Sequence, residues 1–420
     1  MARAEHIARP HHSRHVVLVI VVAATVLSLS MGLRQSLGLF LGSMNRDLGV
    51  SASAFGFAMA LQNLVWGLSQ PFIGTVGDRY GARPVLVGSA LTYAAGLLLM
   101  AVGGSLLGLD FGGGIVAGLG IAGTSFGVLL GAVSRVVPAE RRSQTVGLVS
   151  AAGSLGTLVL APLGQVLIAD YGWKSALVVF AGIAASIALI SVAIGRETPS
   201  QAGVTQAEGR SSGGAALLAA GRHRGYVAMS VAFFACGFQL MFITTHLPQY
   251  LAICGLPPAT SASALGVIGL GNAFGSYIVG HLGAHFSQKR LLALIYLLRT
   301  LAIVIFLATP ISGLSVLIFA AAMGFLWLSV APLVSVLIGR LFGLQHFNAL
   351  FGLTFLSHQV GAFVGAWLGG VTFDVTGSYT IAWGFMIAIG ISAATLQWFM
   401  DDRANVDQPH GIVMPASSTA

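Results

Sequence analysis

Twelve apolar runs limit what this chain can fold into. Six lie near residues 16–42, 51–73, 84–104, 109–137, 143–169 and 173–195, and six more near 226–252, 258–282, 290–309, 313–339, 347–373 and 379–400. Each is close to the ~20 residues a helix needs to cross ~30 Å of hydrocarbon. The first run is too long for the apolar core of a signal peptide, and eleven others follow it. Only 8% of the 420 residues are charged and 56% are hydrophobic, whereas soluble domains carry roughly 25% charge. A chain this poor in charge cannot clothe a water-facing surface, so the lipid bilayer is its solvent. The 56 glycines fit helices that pack through small residues.

The polar stretches divide the chain. Residues 1–15 form an N-terminal tail, 16–195 a first six-helix bundle, 196–225 a linker, 226–400 a second bundle and 401–420 a C-terminal tail. Orientation follows from the basic residues, which concentrate in cytoplasmic loops. With the N-terminus inside, the outer loops hold only Arg46 and Lys174 of the 20 lysines and arginines. Apart from Arg34 and Arg299, which fall inside spans, the rest lie on the inner side. Both termini and the linker are therefore expected to be cytoplasmic. The net charge of +8 belongs to this asymmetry and not to nucleic-acid binding. Cys236 and Cys254 stand eighteen residues apart on one expected helix, roughly 27 Å at 1.5 Å per residue, too far for a disulfide.

The two bundles are copies. Gly74–Leu86 reads GTVGDRYGARPVL, a charged hinge between two apolar runs, and its outline returns as GHLGAHFSQKRL at Gly280–Leu291. The spacing from Gly74 to Arg83 equals that from Gly280 to Lys289. At an offset near 205, Gly147–Gly156 lies over Gly352–Gly361, and Asp170 lies near Asp374. A duplicated six-helix unit is the plan of many secondary transporters, whose substrate binds between the repeats near the midplane. The expected fold is an all-α membrane protein of twelve transmembrane helices in two pseudo-symmetric six-helix bundles.

The hinge residues Gly74, Asp78, Arg79, Gly81 and Arg83, the six-plus-six pattern, the linker and the degenerate second hinge resemble the major facilitator superfamily over residues 16–400. Within it, GLRQSLGLF at 32–40, ALQNLVWGLSQPFIG at 60–74 and LSHQVGAFVGAWLGG at 356–370 are similar to the bacterial monocarboxylate and organic-anion transporter group. The resemblance implies alternating access and places the hinge at the cytoplasmic turn after the second helix; Asp78 in the company of Arg79 and Arg83 reads there as a conformational gate, with a simple topological anchor as the plainer reading. Departures exist. The second hinge has Ala284 for the acid and His285 for the arginine. The fourth helix lacks the arginine that many proton-coupled members carry, and the fifth lacks the glycine-proline repeat of drug–proton antiporters.

Charge inside hydrocarbon is costly and asks for a reason. Arg34 lies roughly 27 Å along the first helix from residue 16, which places it in the outer half of the membrane. Its planar fork of donors suits a carboxylate, and no acid falls clearly mid-span to neutralise it. Substrate contact is preferred here over snorkelling to the interface. Arg299 lies about 14 Å into the ninth helix. Bonding to a neighbouring helix's carbonyls is the more ordinary reading for it, and a second anion contact is the sharper one. His246 and His358 are deep imidazoles able to couple proton movement, although each is more ordinarily a neutral interhelical bond. Gln62, Asn63, Gln239 and Gln359 are cavity candidates. Asn272 sits where some carboxylate transporters carry an arginine, which removes a two-arginine clamp. The expected substrate-binding set is thus Arg34, Gln62, Asn63, Gln239, Asn272, His358 and Gln359.

Other motifs are set aside. Gly118, Gly120 and Gly123 fit a dinucleotide fingerprint but lie inside an apolar span with no preceding strand. No phosphate-binding loop accompanies Lys174 or Lys289. His11, His12 and His15 read as a solvated tail, and His281 with His285 falls at the degenerate hinge, so no metal is expected. No nucleophile–base pair stands mid-span, so the chain is not expected to be an enzyme, and it needs no cofactor. The favoured function is secondary active transport of a small organic anion, a monocarboxylate, by a monomer in the bacterial inner membrane. Coupling would be to protons or to a second anion. Efflux of a neutral or cationic molecule is the rival, which Arg34 disfavours; a sensor or channel is the rival from another class.

Overall fold

The computed structural model describes residues 10–194, 217–327, 329–342 and 347–403. Both expected tails largely fall outside these, as does most of the expected linker. Among the described residues the long helices group into twelve spans. Helix α1 runs Pro10–Ser36 and continues through a 3-10 turn, Leu37–Phe40, into Leu41–Leu48. It therefore begins before the apolar run and ends after it. Then come α2 (Ala52–Tyr80), α3 (Ala82–Gly103) and α4, which starts as a π-helical stretch, Gly108–Val116, and continues as Ala117–Thr124 and Phe126–Val136. Helices α5 (139–171) and α6 (173–192) are one run, Ala139–Val192, broken at Gly172. There φ is 80°, a left-handed angle that glycine adopts without a Cβ clash. The second half repeats the order: α7 (Arg224–Ile253), α8 (Pro258–His285), α9 (Gln288–Ala308), α10 (Gly313–Trp327 and Val330–Phe342), α11 (Phe347–Thr376) and α12 (Thr380–Phe399). Residues 217–222 add a short helical segment within the expected linker.

Among the described residues, nine helical stretches are long and apolar enough to cross a membrane, one of them joining α5 and α6. Helices α2 and α11 are the two outside that set. Gln62, Asn63 and Gln70 lower the hydropathy of α2, and Ser357, His358 and Gln359 that of α11. These two polar helices pack against each other across the halves. Helices shielded from lipid on one face can carry such groups, so their weak apolar signal reflects their position in the fold.

The pairing of helices is two-fold. Helix α1 packs on α5 as α7 packs on α11, α2 on α4 as α8 on α10, and α3 on the Ala139–Val192 run as α9 on α12. Across the halves, α2 meets α11 and α5 meets α8, two contacts that the repeat interchanges. The same close approach recurs 205 residues on. Gly32 faces Gly156 between α1 and α5, where an added Cβ would come within 2.6 Å of the Gly156 carbonyl carbon. Gly237 and Gly361 stand at the equivalent positions of α7 and α11, and a Cβ on either would collide with the facing backbone, His358 O or Phe234 O. Without a solvent-driven hydrophobic effect, helices in lipid associate through such backbone proximity.

The halves touch unevenly. At the end away from the hinge, Gly56 lies against Ala366 O and Gly370 against Ala52 O. Midway, a Cβ on Gly67 would reach Gln359 Cγ at 2.7 Å, and one on Gly269 would reach Ser154 O at 2.6 Å. Nearer the hinge, Gly74, Gly147, Gly280 and Gly352, one on each of the four facing helices, have nothing within 4 Å. The halves thus touch closely from the far end to mid-depth, and these four positions nearer the hinge face open space. Buried polar groups collect at the level where this close contact stops.

Candidate functional site

Helix α1 delivers Arg34 to this level. The guanidinium is buried, with the residue 8% exposed. Its Nη2 donates to Asn63 Oδ1 at 2.5 Å and approaches Met241 Sδ at 3.0 Å. The guanidinium carbon stands 4.8 Å from the Trp66 ring centroid, a cation–π distance. Its Nε has no hydrogen-bond partner. Among the described residues no acidic side chain bonds or pairs with Arg34. Asn63 is eleven residues along α2 from Ala52, roughly 16 Å at 1.5 Å per residue, which sets the distance of this level from the far end of α2. The helical chain that carries Arg34 extends past residue 42 to Leu48, and Arg34 still lies beyond the midpoint of that length.

The second half completes the level. Gln359 Nε2 on α11 donates across the seam to the Asn63 carbonyl at 3.0 Å, and its Oε1 lies 3.0 Å from His358 Nδ1. Arg34, Asn63, Gln359 and His358 therefore form one chain of polar contacts through α1, α2 and α11. Asn272 on α8 occupies the matching place on the other seam, where its Nδ2 donates to Ser154 Oγ at 2.8 Å. The match is by position: Asn272 and Ser154 stand 205 residues from Gly67 and Gln359. One seam pairs a long amide on α11 with glycine on α2, and the other a shorter amide on α8 with serine on α5.

Other expected site residues lie elsewhere. Gln62 Nε2 donates to Gly113 O in the π-helical part of α4 at 2.7 Å, and Gln239 Nε2 to Met386 O on α12 at 3.2 Å, so each ties helices within its own half. His246 sits toward the far end, with Nε2 2.6 Å from Ala366 O and Nδ1 3.2 Å from the Tyr379 hydroxyl, joining α7, α11 and α12. Arg299 is 2% exposed and turns to α10. Its Nε donates to Leu326 O at 3.1 Å and its Nη2 to Leu326 O at 2.6 Å and to Trp327 O. These carbonyls end the first segment of α10, so Arg299 supplies the donors that the interrupted helix lacks.

At the hinge, α2 ends at Tyr80, Gly81 turns with φ 86°, and α3 starts at Ala82. Arg79 is exposed, 5.3 Å from the Tyr80 ring centroid, and Arg83 is half-buried. The Asp78 side chain lies outside the described residues. In the degenerate copy, Lys289 Nζ pairs with Asp402 at 2.8 Å and donates to Met400 O at 3.2 Å, which fastens the start of α9 to the end of α12. That ammonium holds the Asp402 carboxyl below the usual carboxylate range.

Two participants escape sequence reasoning. Trp66 is one helical turn from Asn63 and carries the same-face spacing, but an isolated tryptophan in an apolar run reads as core. Asp374 marks the repeat in sequence, yet its structural role is a cap. Its Oδ1 accepts from Ala52 N at 3.1 Å and its Oδ2 from Ser53 N at 2.9 Å, while Ser51 Oγ accepts from Ala54 N at 3.1 Å. The first three donors of α2 are thus satisfied, two of them by the opposite half. Its counterpart Asp170 is exposed. Helix α8, which Asp170 would cap, starts at Pro258 directly after Pro257, and neither proline has an N–H to offer.

Comparison with known proteins follows the same lines. Rat monocarboxylate transporter 13 is 26% identical over 409 residues, 96% of this chain and 94% of that protein. Human monocarboxylate transporter 11 is 28% identical over 378 residues, 86% and 78% of the two chains. The uncharacterized MFS-type transporter YcxA of Bacillus subtilis is 22% identical over 393 residues, covering 90% of this chain and 94% of YcxA. In three dimensions, the D-xylose-proton symporter superposes with a TM-score of 0.75 over 93% of this chain and 100% of its own, at 15% identity. The inward-open xylose transporter XylE from E. coli gives 0.72 over 92% and 96%, at 14% identity. The family model of the Major Facilitator Superfamily matches residues 20–334. With its duplicated bundles and a polar level between them, this chain is a multi-pass membrane transporter of the Major Facilitator Superfamily.

Proposed function

We propose that this chain is a secondary active transporter of a small organic anion, a monocarboxylate, working by alternating access in a bacterial inner membrane. One observation carries the reading: Arg34 is buried where the seam between the halves ends, with an unpaired Nε and no acidic partner among the described residues. A buried cation without a counter-ion is costly, and a carboxylate arriving through the cleft supplies the missing charge and accepts the vacant donor. The names of the relatives, monocarboxylate transporters 13 and 11, agree with that choice. On this reading the hinge end, both termini and the linker face the cytoplasm, in line with the distribution of arginine and lysine. The cleft is then the inward-facing one. Rocking of the bundles would part Asp374 from α2 and close the hinge end, where Asp78, Arg79 and Arg83 act as the gate. His358 is the favoured imidazole for coupling a proton, because it touches the Arg34 level, whereas His246 lies at the far seal.

Counterflow in proteoliposomes tests the assignment. Radiolabelled monocarboxylates are expected to exchange through the intact protein, and Arg34→Gln should lower the rate at least tenfold while leaving the folded fraction unchanged. Full-rate exchange by Arg34→Gln would remove Arg34 from the site. Exchange of a cationic compound in place of the acids would favour the efflux reading.

A further inference from the structure

The wall of the cleft just below Arg34 is aromatic. Trp66 faces the guanidinium, and its own orientation is locked because Nε1 donates to Gln70 Oε1 at 2.8 Å and to Ser125 Oγ at 3.0 Å. From α11, Phe355 meets the Trp66 ring edge-on, with centroids 5.6 Å apart. Phe355 also stacks parallel to His358 at 5.8 Å, and Phe351 stacks on Phe355 at 6.4 Å, one turn nearer the open end. Phe351 and Phe355 are only partly buried. They follow one another along α11 on the side of Gln359 where the seam has already parted. A molecule entering from the hinge end therefore passes aromatic rings before its head reaches Arg34.

The two amides at that level each make a bond at both ends. Asn63 uses Oδ1 for Arg34 and Nδ2 for Met59 O, while Gln359 uses Nε2 for Asn63 O and Oε1 for His358. An ammonium beside the carboxylate would add charge next to Arg34. A planar apolar group suits the same space, since aromatic rings favour edge-on or offset-stacked neighbours.

We infer that the preferred ligands of this cleft are monocarboxylates with an aryl tail and no cationic substituent, their ring lying against Trp66 and Phe355 while the carboxylate meets Arg34. The inference rests on the anion role of Arg34 and specifies what the anion carries.

The test uses the full chain in lipid nanodiscs and calorimetric titration with phenylacetate, cyclohexylacetate and acetate. Phenylacetate should bind about five- to tenfold more tightly than cyclohexylacetate, which has a saturated ring of similar size, and tighter still than acetate. Trp66→Leu and Phe355→Leu should each bring the aryl preference close to one; if one variant fails to fold, the other and the wild-type series decide. Equal binding of the two ring acids, or a preference that survives both substitutions, overturns the aryl inference while leaving the anion reading intact. Failure of all three acids to bind the wild-type protein overturns both.

Discussion

Replacing Asp374 with asparagine should loosen the far seal. The carboxylate accepts the first two backbone donors of α2 from the opposite half, one with each oxygen, at 3.1 and 2.9 Å. Asparagine keeps one acceptor oxygen and no charge, so one bond and the favourable interaction with the helix N-terminus are lost. A hydrogen bond involving a charged group contributes about 1.5–3 kcal/mol when buried, but Asp374 is exposed. Water replaces the lost bond there, and the effect falls to the range of a surface helix terminus, about 1 kcal/mol. Since 1.4 kcal/mol is a factor of ten, the ratio of far-end-open to far-end-closed molecules should rise roughly fivefold. Spin labels at Leu48→Cys and Val375→Cys, in a Cys254→Ser background, report that ratio as a distance distribution. Asp374→Asn should enlarge the long-distance population, and Asp374→Glu should largely restore the parent distribution. An unchanged distribution in Asp374→Asn and in Asp374→Ala would refute the claim that this cap holds the far end shut.

Two more outcomes follow from the packing. Gly237→Ala forces a Cβ onto His358 O, whereas Gly147→Ala meets nothing within 4 Å; the first should cost about 1–3 kcal/mol and the second almost nothing, read as unfolding temperatures in one detergent. Arg299→Met removes the guanidinium donors from the Leu326 and Trp327 carbonyls and should lower stability by about 2 kcal/mol, with ligand preference unchanged; a changed preference at unchanged stability would return Arg299 to the cleft.

The duplicated plan was legible because lipid enforces it. Apolar runs of span length, a polar break after the sixth and a hinge that returns near an offset of 205 suffice to read twelve helices in two bundles. Helix ends were less legible. The membrane sets how much of a helix is apolar but not where the helix stops, so α1 exceeds its apolar run at both ends. Arg34, Asn63, His358 and Gln359 were readable one by one as polar residues in costly places, and the fold brings them to one level. Gln62 and Gln239 are the same residue types at similar depth, yet they point into their own bundles. Which face of a span meets the seam is decided by neighbours far away in sequence. Trp66 and Asp374 carry no signal in isolation, because one acts through ring geometry and the other through a helix end in the opposite half.

The most direct measurement compares a carboxylic acid with its uncharged amide in the same liposomes. If a buried, unneutralised Arg34 selects the cargo, radiolabelled phenylacetate should show counterflow and phenylacetamide, nearly identical in shape, should not. Arg34→Gln should narrow that difference by slowing the acid alone. Equal counterflow of the amide and the acid through the wild-type protein would contradict the account, since the charge that the site is held to recognise would then make no difference.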